Sequence, residues 1–197
     1  TSRTGRLESL GLPRAFLRMN IEGFTQSETA EHARVTWPNV PDSWVADFHF
    51  LSGGNPRVQK YAIESSAATP SRALDYLRPG GKNLDHVFKQ QLNEAIQRNG
   101  SAVLLERFCA CTIALPRPIP FADLAAIADL SPALVVDIAM DLSPGIRVSE
   151  SALGFADEDF ESFIRDEALA GLQEARQRVA EHLYARRKES DYAVMHV

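Results

Sequence analysis

The sequence is poor in cysteine, with only Cys109 and Cys111 among 197 residues. Two positions apart inside an apolar helical pattern, they point in different directions, so they suit neither a disulfide nor a shared metal ion. They read as small buried hydrophobes, which fits a reducing, cytoplasmic setting. Long hydrophobic runs are missing too. No stretch approaches the roughly 20 apolar residues of a membrane span, and no signal-peptide pattern opens the chain. Positive charge is outweighed, at 21 Lys and Arg against 26 Asp and Glu, so no global field favours nucleic acid or an anionic membrane. A Gly-x-x-x-x-Gly-Lys-Ser/Thr loop is absent, as is an apolar strand ending in paired acids for magnesium. Without them the chain alone cannot cradle or hydrolyse a nucleoside triphosphate, and no activity is expected of it by itself. The five histidines, His32, His49, His86, His182 and His196, fall on separate segments with no ligand spacing. They read individually as surface or core residues.

What is present is helix, with a hydrophobic fraction of 45% that suffices for a real core. The opening "RLESLGLPRAFLRMNIEGF" has short apolar patches and room for one extended segment, too short to form a sheet alone. The first residue is Thr1, and the sequence leaves open a fragment that has lost an upstream region or a complete protein. "TQSE" is a capping box, with Thr25 at the N-cap and Glu28 three residues on, and starts a helix that runs to about Val35. A second helix starts near Pro41, carries Trp44, Val45, Phe48 and Leu51 inward, and ends at Gly53-Gly54. A third begins at Asn55-Pro56, with Asn55 capping and Val58, Tyr61, Ala62 and Ser65 inward. "TPSRALDYLRPGG" is a fourth, capped by Thr69 and stopped by Pro79-Gly80-Gly81. These four helices form a small bundle over residues 24–81.

The second half changes character. Asn83 caps a long helix with the stripe Leu84, Val87, Phe88, Leu92, Ala95 and Ile96, ended by Gly100. "SAVLLERFCACTIAL" reads as a buried helix and "PRPIP" as a rigid turn. "FADLAAIADL" and "SPALVVDIAMDL" follow as helices, the latter capped by Ser131. "GIRVSESALGF" alternates as a two-stranded hairpin, and "DEDFESFIRDEAL" is helical again. Helix, helix, helix, hairpin, helix is the order of a winged helix, expected over residues 82–170. A helical extension or the start of repeats is expected over 171–197, with Glu174 and Arg178 paired at i,i+4 and "DYAVMHV" opening another helix. The fold class expected is therefore mainly α: a four-helix lid bundle, then a winged-helix domain with a small β-hairpin and a helical C-terminal extension.

A winged helix invites a DNA-binding reading, but the segment that would enter the major groove, Ser131 to Leu142, has no basic residue. Its charges are Asp137 and Asp141, which phosphates repel. Nucleic acid is therefore disfavoured.

The order of parts resembles the C-terminal part of the STAND-type signalling ATPases, AAA+ relatives that include NACHT and NB-ARC proteins. "LSGGNPRVQ" is similar to the Gly-x-Pro turn of their helical lid, and "LGFADEDFESFI" lies where their winged helices carry a His-containing motif. The resemblance covers nearly the whole chain, diffusely. It implies that Pro56 packs on the adenine of a bound nucleotide, with Gly54 and Asn55 shaping the approach. The residue chemistry agrees: Pro56 offers a flat apolar face without an N–H, Gly54 permits close approach, and a helix presents its positive end. Where the family's His reaches the nucleotide phosphate, this chain has Asp157. A carboxylate there would repel phosphate or need a bridging metal or Arg. The acids of "DEDFE" also suit a helix N-terminus, whose dipole favours them.

The resemblance implies an adenine nucleotide (ATP or ADP) bound only together with a nucleotide-binding core, of which residues 1–23 would be the end. It also implies partners in the rest of the same polypeptide, a further protein partner or a second copy of the chain. The implied function is a regulatory lid and relay of a signal-transduction NTPase, in bacterial defence or signalling. A winged-helix DNA-binding regulator and a nucleotide-independent helical adaptor are the alternatives.

Overall fold

The computed structural model describes residues 22–65, 69–78 and 83–196. The expectations for the opening segment and for the Pro79-Gly80-Gly81 stop lie outside these residues. Among the described residues the chain is mainly helical, with one small antiparallel sheet.

In the first half, α1 (Gln26–Thr36) starts at the expected capping box, in which Thr25 and Glu28 satisfy each other's backbone N–H groups. Helix α2 (Asp42–Ser52) buries Trp44, Val45 and Phe48 and ends at Gly53, whose φ of 59° is the left-handed conformation of a helix C-cap. Helix α3 (Pro56–Ser65) buries Val58, Tyr61 and Ala62, with Ser65 half-buried. Helix α4 (Pro70–Leu77) follows Thr69, whose hydroxyl meets the Ser71 hydroxyl instead of capping a backbone N–H. That expected cap does not form.

Helix α5 (Leu84–Asn99) is capped by the Asn83 side chain and closed by Gly100 at φ 71°. Helix α6 (Ala102–Ala114) is the central element, packed against α5 and against helices that follow. Cys109 and Cys111 are buried free thiols on it. Burial pushes the Cys109 thiol up to about 12 and the Cys111 thiol up to about 11.

"PRPIP" is more than a turn. Ile119 and Pro120 form a short strand, β1 (Ile119–Pro120), which leads into α7 (Phe121–Ala128) and α8 (Pro132–Asp141). The hairpin β2 (Ile146–Val148) and β3 (Ala152–Phe155) follows, and the sheet order is β1-β3-β2. Leu153 pairs with Ile119 on one side and Val148 on the other. The hairpin forms without an Asn-Gly turn because Ser149 closes it, its N–H and hydroxyl both donating to the Ala152 carbonyl. Two residues cannot display a period-two pattern, and proline depresses any strand signal, so β1 has no sequence signature.

Helix α9 (Glu158–Glu167) starts at Asp157, and α10 (Leu169–Arg186) lies along α6. Helix α11 (Asp191–His196) ends the described chain. One buried cluster runs from Ala33 to Ala193. Its aromatic knot joins the two halves: Phe88 of α5 lies edge-on to Tyr61 of α3 and to Phe160 of α9, at 5.1 and 5.2 Å. Among the described residues no helix is long and apolar enough to cross a membrane.

Candidate functional site

Gly53 and Gly54 take successive left-handed conformations, at φ 59° and 67°, which turn the chain from α2 sharply into α3. The close backbone approach at Gly54 is made by the chain itself. The Phe24 N–H donates to the Gly54 carbonyl at 2.7 Å, and a Cβ at position 54 would sit 2.6 Å from the Phe24 carbonyl oxygen. Asn55 caps α3, its Oδ1 accepting from the N–H groups of Arg57 at 2.9 Å and Val58 at 3.3 Å. Gly54 is buried, whereas Asn55 and Pro56 are half-buried.

Beneath the turn lies a polar network. Gln59, fully buried, donates its amide hydrogens to Thr29 Oγ1 at 2.9 Å and Ser52 Oγ at 3.1 Å. The Gln59 Oε1 accepts from His32 Nδ1 at 3.1 Å, which sets the His32 tautomer. Thr29 meets His49 Nδ1 at 2.9 Å, while Ser52 donates to the His49 carbonyl. Every polar group of Gln59 is thereby used, so α1, α2 and α3 are fixed together under the turn.

Asp157 lies beside this turn. Its Oδ1 accepts from the N–H groups of Asp159 at 2.9 Å and Phe160 at 3.2 Å, making it the N-cap of α9. The Arg57 guanidinium forks onto it, Nε to Oδ2 at 3.2 Å and Nη2 to Oδ1, and its Nη1 reaches Asp159. Asp157 is 12% exposed and Arg57 42% exposed, so the fork is shielded on the carboxylate side. A cation in the first turn of a helix faces the positive end of its dipole, and the two carboxylates offset that penalty.

Tyr61, one turn along α3, is 2% exposed, with its hydroxyl beside the Asp157 carboxylate. Burial raises its ionisation first, and the nearby Asp157 charge raises it further. Pro56 and Asp157, singled out separately in the sequence, thus belong to one neighbourhood, and Arg57 is the residue that joins them. Sequence reasoning missed Arg57; its one local signal is a cation at the unfavourable end of a helix.

A second charged cluster was likewise invisible. Asp123 on α7 is buried and contacts His182, at 2.8 Å from Nε2, and Arg186, both on α10. Nearby, the Tyr192 hydroxyl donates to the Pro116 carbonyl at 2.5 Å. Tertiary packing gives His32, His49 and His182 each a polar partner. Among the described residues no group of three or more His, Cys, Asp or Glu could hold a metal ion.

No family model matches the chain, and no curated protein matches it.

Proposed function

We propose that this chain is the regulatory lid and relay of a STAND-type signal-transduction NTPase. In this reading the lid closes over an adenine nucleotide held by a core outside these residues, and residues 82–170 pass its state to the rest of the polypeptide. The observation that carries the reading is the Arg57–Asp157 fork. It ties the half-exposed Asn55–Pro56 turn to the N-terminus of α9, so the two positions implied to face nucleotide are mechanically coupled.

Further support comes from the order α6, β1, α7, α8, β2, β3 with sheet order β1-β3-β2, which agrees with the winged-helix reading. The same geometry disfavours DNA as the partner. Asp137 and Met140 are exposed on α8, and Asp141 is held by Arg98 at 2.9 Å and Asn99 at 3.0 Å. Helix α8 itself offers phosphate no cation, and Arg98 beside it is paired with Asp141 and Glu94. Two buried free thiols agree with a reducing, cytoplasmic setting.

Labelled ADP titrated into the chain alone should bind negligibly, and a polypeptide that also carries the core should bind it. Pro56→Ala in that longer polypeptide should weaken ADP by roughly threefold to tenfold, the share of one apolar ring contact. Unchanged affinity in the Pro56→Ala variant would reject the lid reading and favour a nucleotide-independent adaptor.

A further inference from the structure

Helices α5 and α6 and the junction of α9 with α10 enclose a cleft of about 180 Å³ that opens to the surface. Leu92 and Ile96 of α5, Leu105 and Cys109 of α6, and Ala168 at the junction give it an apolar lining. Leu105 and Cys109 are buried and make the floor, while Leu92 and Ile96 are half-buried walls. The apolar surface continues outward. Val103, next in the chain to the lining residue Ala102, is 70% exposed, and Leu169, next to Ala168, is 62% exposed. Large apolar side chains bared beside an apolar recess mark an interaction surface rather than scattered exposure.

The charge at the cleft has one sign. Two carboxylates, Glu106 and Glu167, complete the lining, and no cation belongs to it. Among the described residues neither has a hydrogen-bond or ion-pair partner. By contrast Glu94, Glu161 and Glu174, on α5, α9 and α10, are each paired with arginine. The Glu106 charge is felt at the floor, where it adds to burial in raising the Cys109 thiol.

Shape and charge together select an occupant. The volume falls below the roughly 300–1,000 Å³ of sites that enclose a small molecule, and suits one inserted side chain. The walls are helices whose backbone groups are already paired, so an extended peptide has no sheet edge to join. A helix lying in the groove can insert an apolar anchor and place cations on either side of it. We propose that this cleft is the docking site for a basic amphipathic helix of a partner protein. Its apolar anchor enters between Leu92, Ile96 and Leu105, and its Lys or Arg residues pair with Glu106 and Glu167. The site is independent of the nucleotide reading, since it shares no residue with the Asn55–Pro56 turn or the Arg57–Asp157 fork.

A synthetic helical peptide with Leu at i, i+3, i+4 and i+7 and Lys at the flanking positions is the probe. Titrated into the chain and followed by methyl NMR, it should move the Leu92, Ile96, Val103, Leu105 and Leu169 signals saturably. The net charge of −5 attracts any basic peptide, so a version with Ala for each Leu isolates the anchor and should bind at least roughly tenfold more weakly. Glu106→Lys with Glu167→Lys changes two exposed carboxylates that the fold leaves unpaired. It should weaken the Lys peptide by roughly tenfold and strengthen a version with Glu for each Lys. Val103→Ser with Leu169→Ser should weaken the Lys peptide by roughly threefold to tenfold. A probe that moves none of these methyl signals overturns the proposal, as does equal binding of the Leu and Ala versions or indifference to the charge reversal. n-Hexylammonium binding as tightly as the peptide would assign the cleft to a small amine and reject a protein partner.

Discussion

His182 on α10 contacts the buried carboxylate of Asp123 on α7 at 2.8 Å, and Arg186, one turn further, reaches the same oxygen. This three-residue cluster holds the long C-terminal helix against the segment that precedes α8. Asp123→Ala leaves two donors facing an empty acceptor site. With Arg186 partly exposed and able to turn to water, the expected loss is about 1–3 kcal/mol. Chemical denaturation measures that loss. Limited proteolysis should find earlier cleavage within α10 and α11 than in α1–α4.

At Gly54 the left-handed backbone and the Phe24 carbonyl act together. Gly54→Ala places a methyl group against a backbone oxygen that cannot swing aside, at a φ that disfavours any side chain. We expect destabilisation of about 2 kcal/mol or more. Hydrogen exchange should show the Phe24 N–H losing protection first, because its acceptor is the Gly54 carbonyl.

Phe160 stands where α3, α5 and α9 meet, fully buried among Tyr61, Phe88 and Phe163. Phe160→Ala should cost about 3–5 kcal/mol, as a large aromatic loss from a packed interior does. The midpoint of urea unfolding reads the effect. Phe160→Leu, which refills most of the volume, should recover more than half of it.

The raised thiols give a sign to alkaline behaviour. Folding holds Cys109 neutral well above its ordinary value of 9.0, up to about 12. Its contribution is fully present below pH 9.0 and disappears as pH rises from there through about 12. Stability should therefore fall in that window, and Cys109→Ala should flatten the fall. Thiol labelling at pH 8 should follow the unfolding rate, because the native protein presents almost no thiolate.

Acid acts on Glu161, whose carboxyl is held below 4.5 chiefly by hydrogen bonding from Arg117, with Arg165 adding to it. A depressed folded value means that stability is present above 4.5 and is lost as pH falls through the lower folded value. Arg117 also lies over the Phe155 ring at 4.8 Å, so Glu161 helps to hold α9 against β3. Glu161→Gln should lower stability at neutral pH and make its acid dependence shallower in a thermal-melt series.

Local features were legible in the sequence because their determinants are neighbours. The Thr25–Glu28 box, the Asn83 and Ser131 caps and the stops at Gly53 and Gly100 all form within a few residues. The helical nature of the chain followed from such signals. Asp157 was recognisable as an acid suited to a helix start, and it is one. Its partnership with Arg57 was not recognisable, since the two are 100 positions apart and only the packing of α3 on the rest of the chain joins them. The same holds for Asp123 with His182, and for β1, whose two residues become a strand only because Leu153 is beside them. Pro56 was found through the turn it serves, while the cation beside it needed tertiary structure to acquire meaning.

Strand β1 has Pro118 before it and Pro120 within it, so along this margin of the sheet only Ile119 owns an amide hydrogen. An approaching extended peptide would find too few donors there to register against. The sheet is thus capped at three members from that side, and growth into a larger ribbon or fibril is discouraged by covalent structure rather than by charge. Any neighbour on that flank must be recognised through side chains.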